Sequence, residues 1–589
     1  MTYEIVAASL IALAVLALLI SERLPSEVTA LLAVAALVLS GVLEPGEAFA
    51  SLGSPVVVMI GGVMLLTGAL VHTGVPQLLV RVVRGLPRRR EGGMRAVLTL
   101  AVGGVSAFIN NVAATAMFIP VAEGLARAFR TDRRAYLMPV AFASLAGGLC
   151  TLIGTSTNVA VAGKLPDLGL EPLGFFELTP IGLLVTLVAT VYLVAAPRWL
   201  GWNRVDTEEE GADLREFLYE VHVLPGSPLV DRTLSESDPA ERLGLTVLAI
   251  RRGADTIQTP GPFEPVRTDD LLLVKSRSER ISQLRDMPGF RVVSMPPPGR
   301  TALFDEGPRL TEVTVSWNSP LIGQTVEEID FRHQFGVSVL AIHRRDTLLA
   351  ERVAHIPLEA GDVLLVFGRR EMAARLAEGG TRLLVADVVP PGLERPAKAA
   401  LALAIFLAAV ATVVVGLLDS ATAFLAGGAL VLATGIVPRS QVPRYVNVRF
   451  LILIAGLLAL SAGLERSGAA AALAGLVIGL LGADPYLQMT AMFALTVLLT
   501  QPLSNAAAAL LVLPLAVAGA VQLGIDPRPF AVTVTVAASC SFLTPFEPAC
   551  LLVYGSGHYR FRDFARMGAP LTLAVFLIVL LIVPRLWPF

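Results

Sequence analysis

The stretch "INNVAATAMFIP", residues 109–120, has a counterpart in "QPLSNAAAALLVLP", residues 501–514. Each stretch places an asparagine, Asn111 or Asn505, inside a long apolar run. An unsatisfied polar group in hydrocarbon costs several kcal/mol, so irregular polar segments persist in a membrane protein only where they line a cavity. The two stretches therefore predict paired polar sites inside a membrane-spanning fold.

The composition of the chain agrees with a membrane protein. Of its 589 residues, 54% are hydrophobic and only 16% are charged, whereas soluble proteins carry about a quarter charged residues. The mean hydropathy is +0.70. A net charge of −2 argues against a nucleic-acid partner, because phosphate binding needs a basic surface. The three cysteines match neither a disulfide framework nor a zinc site, and we expect no covalent cofactor.

Apolar runs long enough to cross a bilayer, roughly 17–25 residues, occur in two blocks on either side of a polar stretch. This pattern predicts a membrane protein interrupted by a soluble insert. The predicted parts are a first transmembrane repeat (1–201), two small insert domains (202–300 and 301–398) and a second transmembrane repeat (399–589).

The two membrane blocks match each other at an offset of 394 residues. An asparagine and a proline in register inside apolar runs indicate duplication more strongly than matches among Ala, Leu and Gly. The matching pairs are Gly62 with Gly456, Leu70 with Leu464, Gly74 with Gly468, Asn111 with Asn505, and Pro120 with Pro514.

Positive charge predicts the orientation of the chain. Arginines lie on both sides of the segment 96–124, so both of its ends should face the cytoplasm. The counterpart around Asn505 has few basic flanking residues and should enter from the outside. We therefore expect a polytopic α-helical protein of the inner membrane with an inverted-topology repeat and two re-entrant hairpins. Basic residues at the junctions place the insert in the cytoplasm: Arg198, Arg204, Arg395 and Lys398.

The insert is itself duplicated, at an offset of 92 residues. "VLAI" at Val247–Ile250 recurs at Val339–Ile342, and Asp270 matches Asp362. Short β-branched runs bounded by Gly, Pro and Asp indicate strands and turns. The insert should therefore fold as two tandem α+β domains.

Four segments interrupt the apolar pattern with amide and hydroxyl side chains: 109–120, 150–160, 501–514 and 540–550. Helix N-termini at such breaks favour anions, and unpaired backbone carbonyls suit sodium-like cations. The alternative is that these Asn and Thr side chains only form hydrogen bonds across helices.

The two membrane blocks resemble the divalent anion:sodium symporter family of citrate, dicarboxylate and sulfate carriers. That family has a Ser-Asn-Thr motif at the tip of a hairpin in each half, which here reads Asn110-Asn111-Val112 and Ser504-Asn505-Ala506. "GTSTN", Gly154–Asn158, matches the break that follows the first motif. The resemblance implies sodium as the coupling ion and two sets of site residues. The substrate would be bound by Asn110, Asn111, Thr155, Ser504 and Asn505, and sodium-like cations by Asn111, Gly154, Thr155, Asn158, Asn505 and Thr544.

The second break, "TPFEPAC", departs from the family pattern by carrying Glu547. A carboxylate there could serve as a cation ligand or as a proton carrier, because burial raises the pKa of a carboxyl group. The alternative is an outward-facing or salt-bridged side chain. Coupling to protons instead of sodium therefore stays open.

The insert repeats resemble the TrkA-C regulatory module of potassium channels and transporters, through phrases such as "LPGSPLVDRTL" and "SWNSPLIGQTV". This resemblance implies a small regulatory ligand, although a structural spacer fits the sequence as well. The family resemblance of the membrane blocks suggests a homodimer.

The favoured function is secondary active import of a small divalent anion, coupled to a cation. Relatives with such inserts make sulfate the first choice, and a di- or tricarboxylate such as succinate or citrate is the alternative. A gated channel is disfavoured because the sequence contains no TVGYG filter, and an enzyme because the spans contain no nucleophile–base pair or metal cluster. Charged residues at the ends of spans, Lys164, Glu465 and Arg466, should extend to the membrane interface.

Overall fold

The computed structural model divides the chain into two compact units, residues 1–204 with 389–589 and residues 205–388. The described residues are 3–21, 23–85, 90–202, 218–237, 245–253, 255–258, 260, 263–275, 284, 287–293, 309–315, 319–344, 347–349, 353–359, 361–368, 376, 383–385, 396–557 and 559–589.

The described residues of the first unit form helices joined by loops, with no strand among them. Its N-terminal half contains ten α-helices: α1 (Tyr3–Ser21), α2 (Ser26–Leu39), α3 (Pro45–Ala50), α4 (Pro55–Thr73), α5 (Val75–Gly85), α6 (Glu91–Ser106), α7 (Asn111–Phe129), α8 (Arg134–Gly148), α9 (Ser156–Lys164) and α10 (Thr179–Trp199).

The C-terminal half repeats this order of helices. Its members are α14 (Pro396–Val414), α15 (Ser420–Ala433), α16 (Val442–Tyr445), α17 (Val448–Arg466), α18 (Ala469–Leu481), α19 (Pro485–Thr500), α20 (Asn505–Leu523), α21 (Arg528–Ala538), α22 (Pro548–Ser556) and α23 (Phe561–Leu586), where α11 to α13 belong to the insert. Several counterparts have equal lengths: α4 and α17 both have 19 residues, as do α7 and α20.

Eight helices, or up to nine if a bent pair is counted as one span, are long and apolar enough to cross a membrane within the described part of the chain. This finding confirms the prediction of a polytopic α-helical membrane protein. Leucine and valine side chains remain exposed along α1, α14 and α15, as expected of helix faces in contact with lipid tails.

Helices of one half pack against helices of the other at two glycines. A Cβ atom on Gly62 of α4 would lie 2.5 Å from the backbone of Phe424 in α15, and one on Gly456 of α17 would lie 2.6 Å from Ala30 in α2. Small residues allow such close helix crossings in membranes. The offset of 394 relates Gly62 to Gly456 and also Ala30 to Phe424, so the fold uses the same contact twice.

The second unit contains two antiparallel five-stranded sheets with the same strand order. Their orders are β3-β2-β4-β1-β5 and β8-β7-β9-β6-β10. Each sheet has a register shift at the same place, between Val247 and Ala249 and between Val339 and Ala341. The strands are β1 (Leu218–Val223), β2 (Thr246–Arg252), β3 (Asp255–Gln258), β4 (Leu271–Lys275), β5 (Phe290–Val293), β6 (Arg309–Val315), β7 (Ser338–Arg344), β8 (Thr347–Leu349), β9 (Val363–Gly368) and β10 (Leu383–Val385), with short helices α11 (Leu234–Ser237), α12 (Val326–Ile329) and α13 (Phe331–Phe335).

An arginine braces each sheet in the same way. Arg252 donates two hydrogen bonds to the buried Asp270 carboxylate, at 2.9 and 3.0 Å, and Arg344 does the same to Asp362 at 2.7 and 2.8 Å. These hydrogen bonds raise the pKa of both guanidinium groups. The paired contacts show that the two sheets share one internal design, while the bounds of the four predicted parts of the chain stay a prediction.

The contact at Gly62 predicts a specific sensitivity. Replacing Gly62 with Ala should lower the unfolding free energy by about 1–3 kcal/mol, because the new methyl group overlaps the Phe424 backbone. Gly104→Ala in α6 is the matched control, since a Cβ there has no neighbour within 4 Å. Thermal melts of the detergent-solubilised variants compare the two changes, and equal melting temperatures would contradict the proposed close packing.

Candidate functional site

The first tip joins α6 to α7 through residues 107–110. Asn110 is the N-cap of α7, and its side-chain oxygen accepts a hydrogen bond from the Val112 amide at 2.8 Å. Asn111 begins the helix and is buried. Its Oδ1 accepts a hydrogen bond from Ser106 Oγ at 2.8 Å, which holds the amide oxygen beneath the tip.

Two glycines, Gly148 and Gly154, allow the segment between α8 and α9 to pack against the first tip. A Cβ atom on Gly154 would lie 2.5 Å from the carbonyl oxygen of Gly148 and 2.9 Å from that of Ala107. A Cβ atom on Gly148 would lie 2.7 Å from Asn111 Oδ1. Only glycine fits at these positions, so several backbone and amide oxygens gather around the two residues.

Asn158 adds a further oxygen to this cluster. Its side chain is fully buried, and Nδ2 donates hydrogen bonds to Gly148 O at 3.2 Å and to Thr151 O at 2.8 Å. Among the described residues, no group donates a hydrogen bond to its Oδ1. Thr155 is the N-cap of α9 and accepts a hydrogen bond from the Thr157 amide.

The chemistry of this cluster suits a hard cation next to an anion. Carbonyl and amide oxygens are the ligands that hard cations prefer, and a buried oxygen without a donor is costly unless a cation or another donor reaches it. The N-termini of α7 and α9 add the positive ends of two helix dipoles. Each of the sodium-site residues predicted for the first half, Asn111, Gly154, Thr155 and Asn158, belongs to this arrangement.

The second tip joins α19 to α20 through residues 501–504. Ser504 is the N-cap of α20 and accepts a hydrogen bond from the Ala507 amide at 3.3 Å. Asn505 Oδ1 accepts hydrogen bonds from Thr500 Oγ1 at 2.9 Å and from Ser541 Oγ at 2.6 Å. The hydrogen bond from Thr500, the last residue of α19, therefore repeats the one from Ser106 to Asn111. Ser541 adds a second hydroxyl group beside Asn505 Oδ1.

Gln501 links this tip to the following break. Its Nε2 donates to Val497 O at 2.9 Å and to Cys540 O at 3.2 Å, and its Oε1 faces Thr544 Oγ1 at 3.4 Å. Thr544, predicted to border a second cation, therefore contacts the Gln501 side chain.

Glu547 is half-buried, and its role as a cation ligand or proton carrier stays a prediction. It is the N-cap of α22, and its carboxylate accepts hydrogen bonds from the Ala549 amide at 2.5 Å and the Cys550 amide at 3.4 Å. Since Thr155 is the N-cap of α9, the two side chains occupy matching places in the two halves.

The two broken regions also approach each other across the halves, because α7 packs against α22 and α9 packs against α20. Sequence reasoning missed several residues that hold the tips: Ser106, Gly148, Thr500, Gln501 and Ser541. The offset of 394 pairs Ser106 with Thr500, and this match could have identified them as a repeated pair of hydroxyl donors.

One expectation about the charged span ends is wrong. Lys164, at the end of α9, is 1% exposed and does not extend to an interface. Its ammonium group lies 3.1 Å from a Glu465 carboxylate oxygen on α17 and 3.2 Å from Asp167, and Ser461 donates to the same Glu465 oxygen at 2.9 Å. The buried Lys164 ammonium group is therefore stabilised by two neighbouring carboxylates instead of by water.

The chain is similar to transport proteins along nearly all of its length. The citrate transporter family matches residues 16–537. An uncharacterized transporter of Synechocystis sp. is 31% identical over 586 aligned residues, which cover 96% of this chain and 95% of that protein. An uncharacterized transporter of Escherichia coli is 29% identical over 605 aligned positions, which cover 99% of this chain and 98% of that protein. Sodium/sulfate cotransporter 2 of Chlamydomonas reinhardtii is 28% identical over 381 residues, 62% of this chain and 43% of that protein.

The buried ion pair predicts a non-additive effect on stability. Glu465→Gln should lower the unfolding free energy by as much as about 3 kcal/mol, because it leaves the buried Lys164 ammonium paired with the largely exposed Asp167 carboxylate alone. The double variant Lys164→Met/Glu465→Gln should recover most of that loss. Arg466→Gln removes an adjacent exposed pair with Glu47 and should cost no more than about 1 kcal/mol. Unfolding measurements on the wild type, Lys164→Met, Glu465→Gln and the double variant give the coupling energy, and strictly additive effects would contradict the pairing.

Proposed function

The chain belongs to the citrate transporter family, and we propose that it is a secondary active transporter importing a small divalent anion by cation-coupled symport. The observation that carries this proposal is the oxygen cluster at the first tip, flanked by two helix N-termini. Such a cluster can hold a sodium ion and an anion side by side. The family and the names of the relatives point to a transporter rather than to an enzyme.

The proposed architecture is an inverted-topology repeat with two re-entrant hairpins. Its support is the matching order of helices, the twice-used glycine contact and the opposite distribution of arginines around the two tips. We place the protein in the inner membrane, surrounded by lipid, with the insert in the cytoplasm. Alternating access would then move the hairpin-bearing helices against the other helices around the central site.

In the proposed mechanism the anion lies between the two tips. Asn110, Asn111 and Thr155 would bind it from one half, and Ser504 and Asn505 from the other. Neither tip sequence contains a lysine or an arginine, so the negative charge would be balanced by the coupling cation and by helix dipoles. This requirement supports coupling to a cation. The names of the sodium/sulfate cotransporter relatives make sodium the expected ion, held by Asn111, Gly154, Thr155 and Asn158. The resemblance also implies a second cation at Asn505 and Thr544, although the hydrogen bonds at the second tip argue against this second site.

Sulfate is the favoured substrate. The supporting observation is that matching relatives in Chlamydomonas reinhardtii are named sodium/sulfate cotransporters. Di- and tricarboxylates are the alternative, in keeping with the name of the citrate transporter family, because the same amide and hydroxyl donors can bind a carboxylate. A gated channel is the less favoured alternative.

The insert is proposed to be regulatory. Its two sheets would bind a small ligand in the manner of the TrkA-C modules they resemble, and the transporter would assemble as a homodimer. Both proposals rest on the resemblances described from the sequence.

Transport can be tested with purified protein reconstituted in liposomes. An inward sodium gradient should drive uptake of labelled sulfate, with succinate and citrate as competing substrates. Asn111→Ala and Asn505→Ala should each abolish uptake, because each removes a tip amide. The control is Asn447→Ala, which removes only the cap of α17 and should keep transport. Normal uptake by both tip variants would overturn the site, and currents that follow only the electrochemical gradient would indicate a channel.

Proton coupling through Glu547 is the alternative to be separated from sodium coupling. We expect Glu547→Gln to keep sodium-driven uptake, because the amide oxygen of glutamine can still accept the hydrogen bond from Ala549. Uptake is measured with a sodium gradient and, separately, with only a proton gradient. Loss of proton-driven uptake in this variant, with a wild-type response to a proton gradient, would instead make Glu547 the coupling carboxylate.

A further inference from the structure

We propose that the two tips have diverged, so that a single sodium ion binds at the first tip while the second tip is closed by its own side chains. This inference rests on the proposed function and specifies its coupling ion. The evidence is a set of positions that correspond in the two halves but carry different chemistry.

The first difference is at the third residue of the helix that follows each break. Asn158 occupies this position in α9, and Cys550 occupies it in α22. Both side chains approach a carbonyl three residues beyond the preceding helix: Asn158 Nδ2 lies 2.8 Å from Thr151 O, and Cys550 Sγ lies 3.9 Å from Ser541 O. Asn158 has a second polar atom, the buried Oδ1, to offer a cation, whereas the cysteine side chain ends in its sulfur.

The second difference is at the last residue of the preceding helix, which is Gly148 in α8 and Ala538 in α21. In the first half, a methyl group at this position would lie 2.7 Å from Asn111 Oδ1. In the second half the residue carries that methyl group. From this comparison of helix ends, we expect less space beside the tip asparagine in the second half.

The third difference is in the hydrogen bonds to the candidate oxygens. Two hydroxyl oxygens, Ser541 Oγ at 2.6 Å and Thr500 Oγ1 at 2.9 Å, lie next to Asn505 Oδ1, whereas Ser106 is the hydroxyl donor to Asn111 Oδ1. The single hydroxyl hydrogen of Thr500 is shared between Asn505 Oδ1 and Ala538 O, which lies 2.7 Å from Thr500 Oγ1, and Gln501 donates to Cys540 O. A sodium ion at the second tip would have to displace these donors. Each displaced donor would be a buried polar group that needs a new hydrogen-bond partner.

The inference is tested by sodium titration of the full-length protein in two ways. Sodium should raise the melting temperature of purified protein relative to potassium, since a ligand of the native state stabilises it. Sodium-dependent uptake should follow a Hill coefficient of about 1, because each protomer binds one sodium ion and the protomers of the proposed dimer transport independently.

Two matched substitutions assign the site. Asn158→Cys places in the first half the residue that the second half has at this position. The sodium concentration that gives half of the rise in melting temperature should then increase at least about tenfold. Cys550→Ala should change that concentration less than about twofold. The melting measurement without sodium shows whether each variant is folded.

The outcomes separate this inference from the proposed function. A Hill coefficient near 2, or an equal loss of sodium response in the two variants, would overturn the single-site proposal while leaving sodium symport intact. Absence of any sodium-dependent uptake by the wild-type protein would overturn the proposed function. Retention of the full sodium effect in Asn158→Cys would remove Asn158 from the site.

Discussion

The structure depends on one constraint, which is that hydrocarbon provides no hydrogen-bonding partner for the backbone. A helix interrupted inside the membrane must satisfy its free ends through side chains and neighbouring carbonyls. Asn110 and Ser504 do so as N-caps, and Ser106 and Thr500 hold the asparagine that follows. The groups that remain after this local satisfaction, such as Asn158 Oδ1, are the ones that can bind an ion. Stability and binding are therefore two results of the same hydrogen-bonding requirement.

The two halves meet this requirement differently. The first half leaves oxygen atoms around a pair of glycines, so a cation can complete the site. The second half uses Thr500, Gln501 and Ser541 to complete its own hydrogen bonds. Under the proposed function, a few side chains would thus change the ion chemistry of two similar backbone arrangements.

Much of the fold could be predicted from the sequence, because Gly, Pro and Asn have strong local effects inside apolar runs. The positions of both tips followed from Asn111 and Asn505, and "GTSTN" indicated the break before α9. The contacts of Gln501 and the pairing of Lys164 with Glu465 could not be predicted, because they depend on which helices meet in three dimensions. Glu547 illustrates the same limit: its carboxylate was recognised as unusual, but its place as the cap of α22 depends on where that helix begins.

The reciprocal crossings of α4 with α15 and of α2 with α17 have a consequence for biosynthesis. Each crossing joins a helix made early to one made late, and the whole insert is translated between them. After synthesis of the first half, Gly62 and Ala30 still lack the backbones against which they pack. The N-terminal helices can therefore complete their packing at Gly62 and Ala30 only after the second half has been synthesised. Until then, we expect lipid or the insertion machinery to cover these two positions.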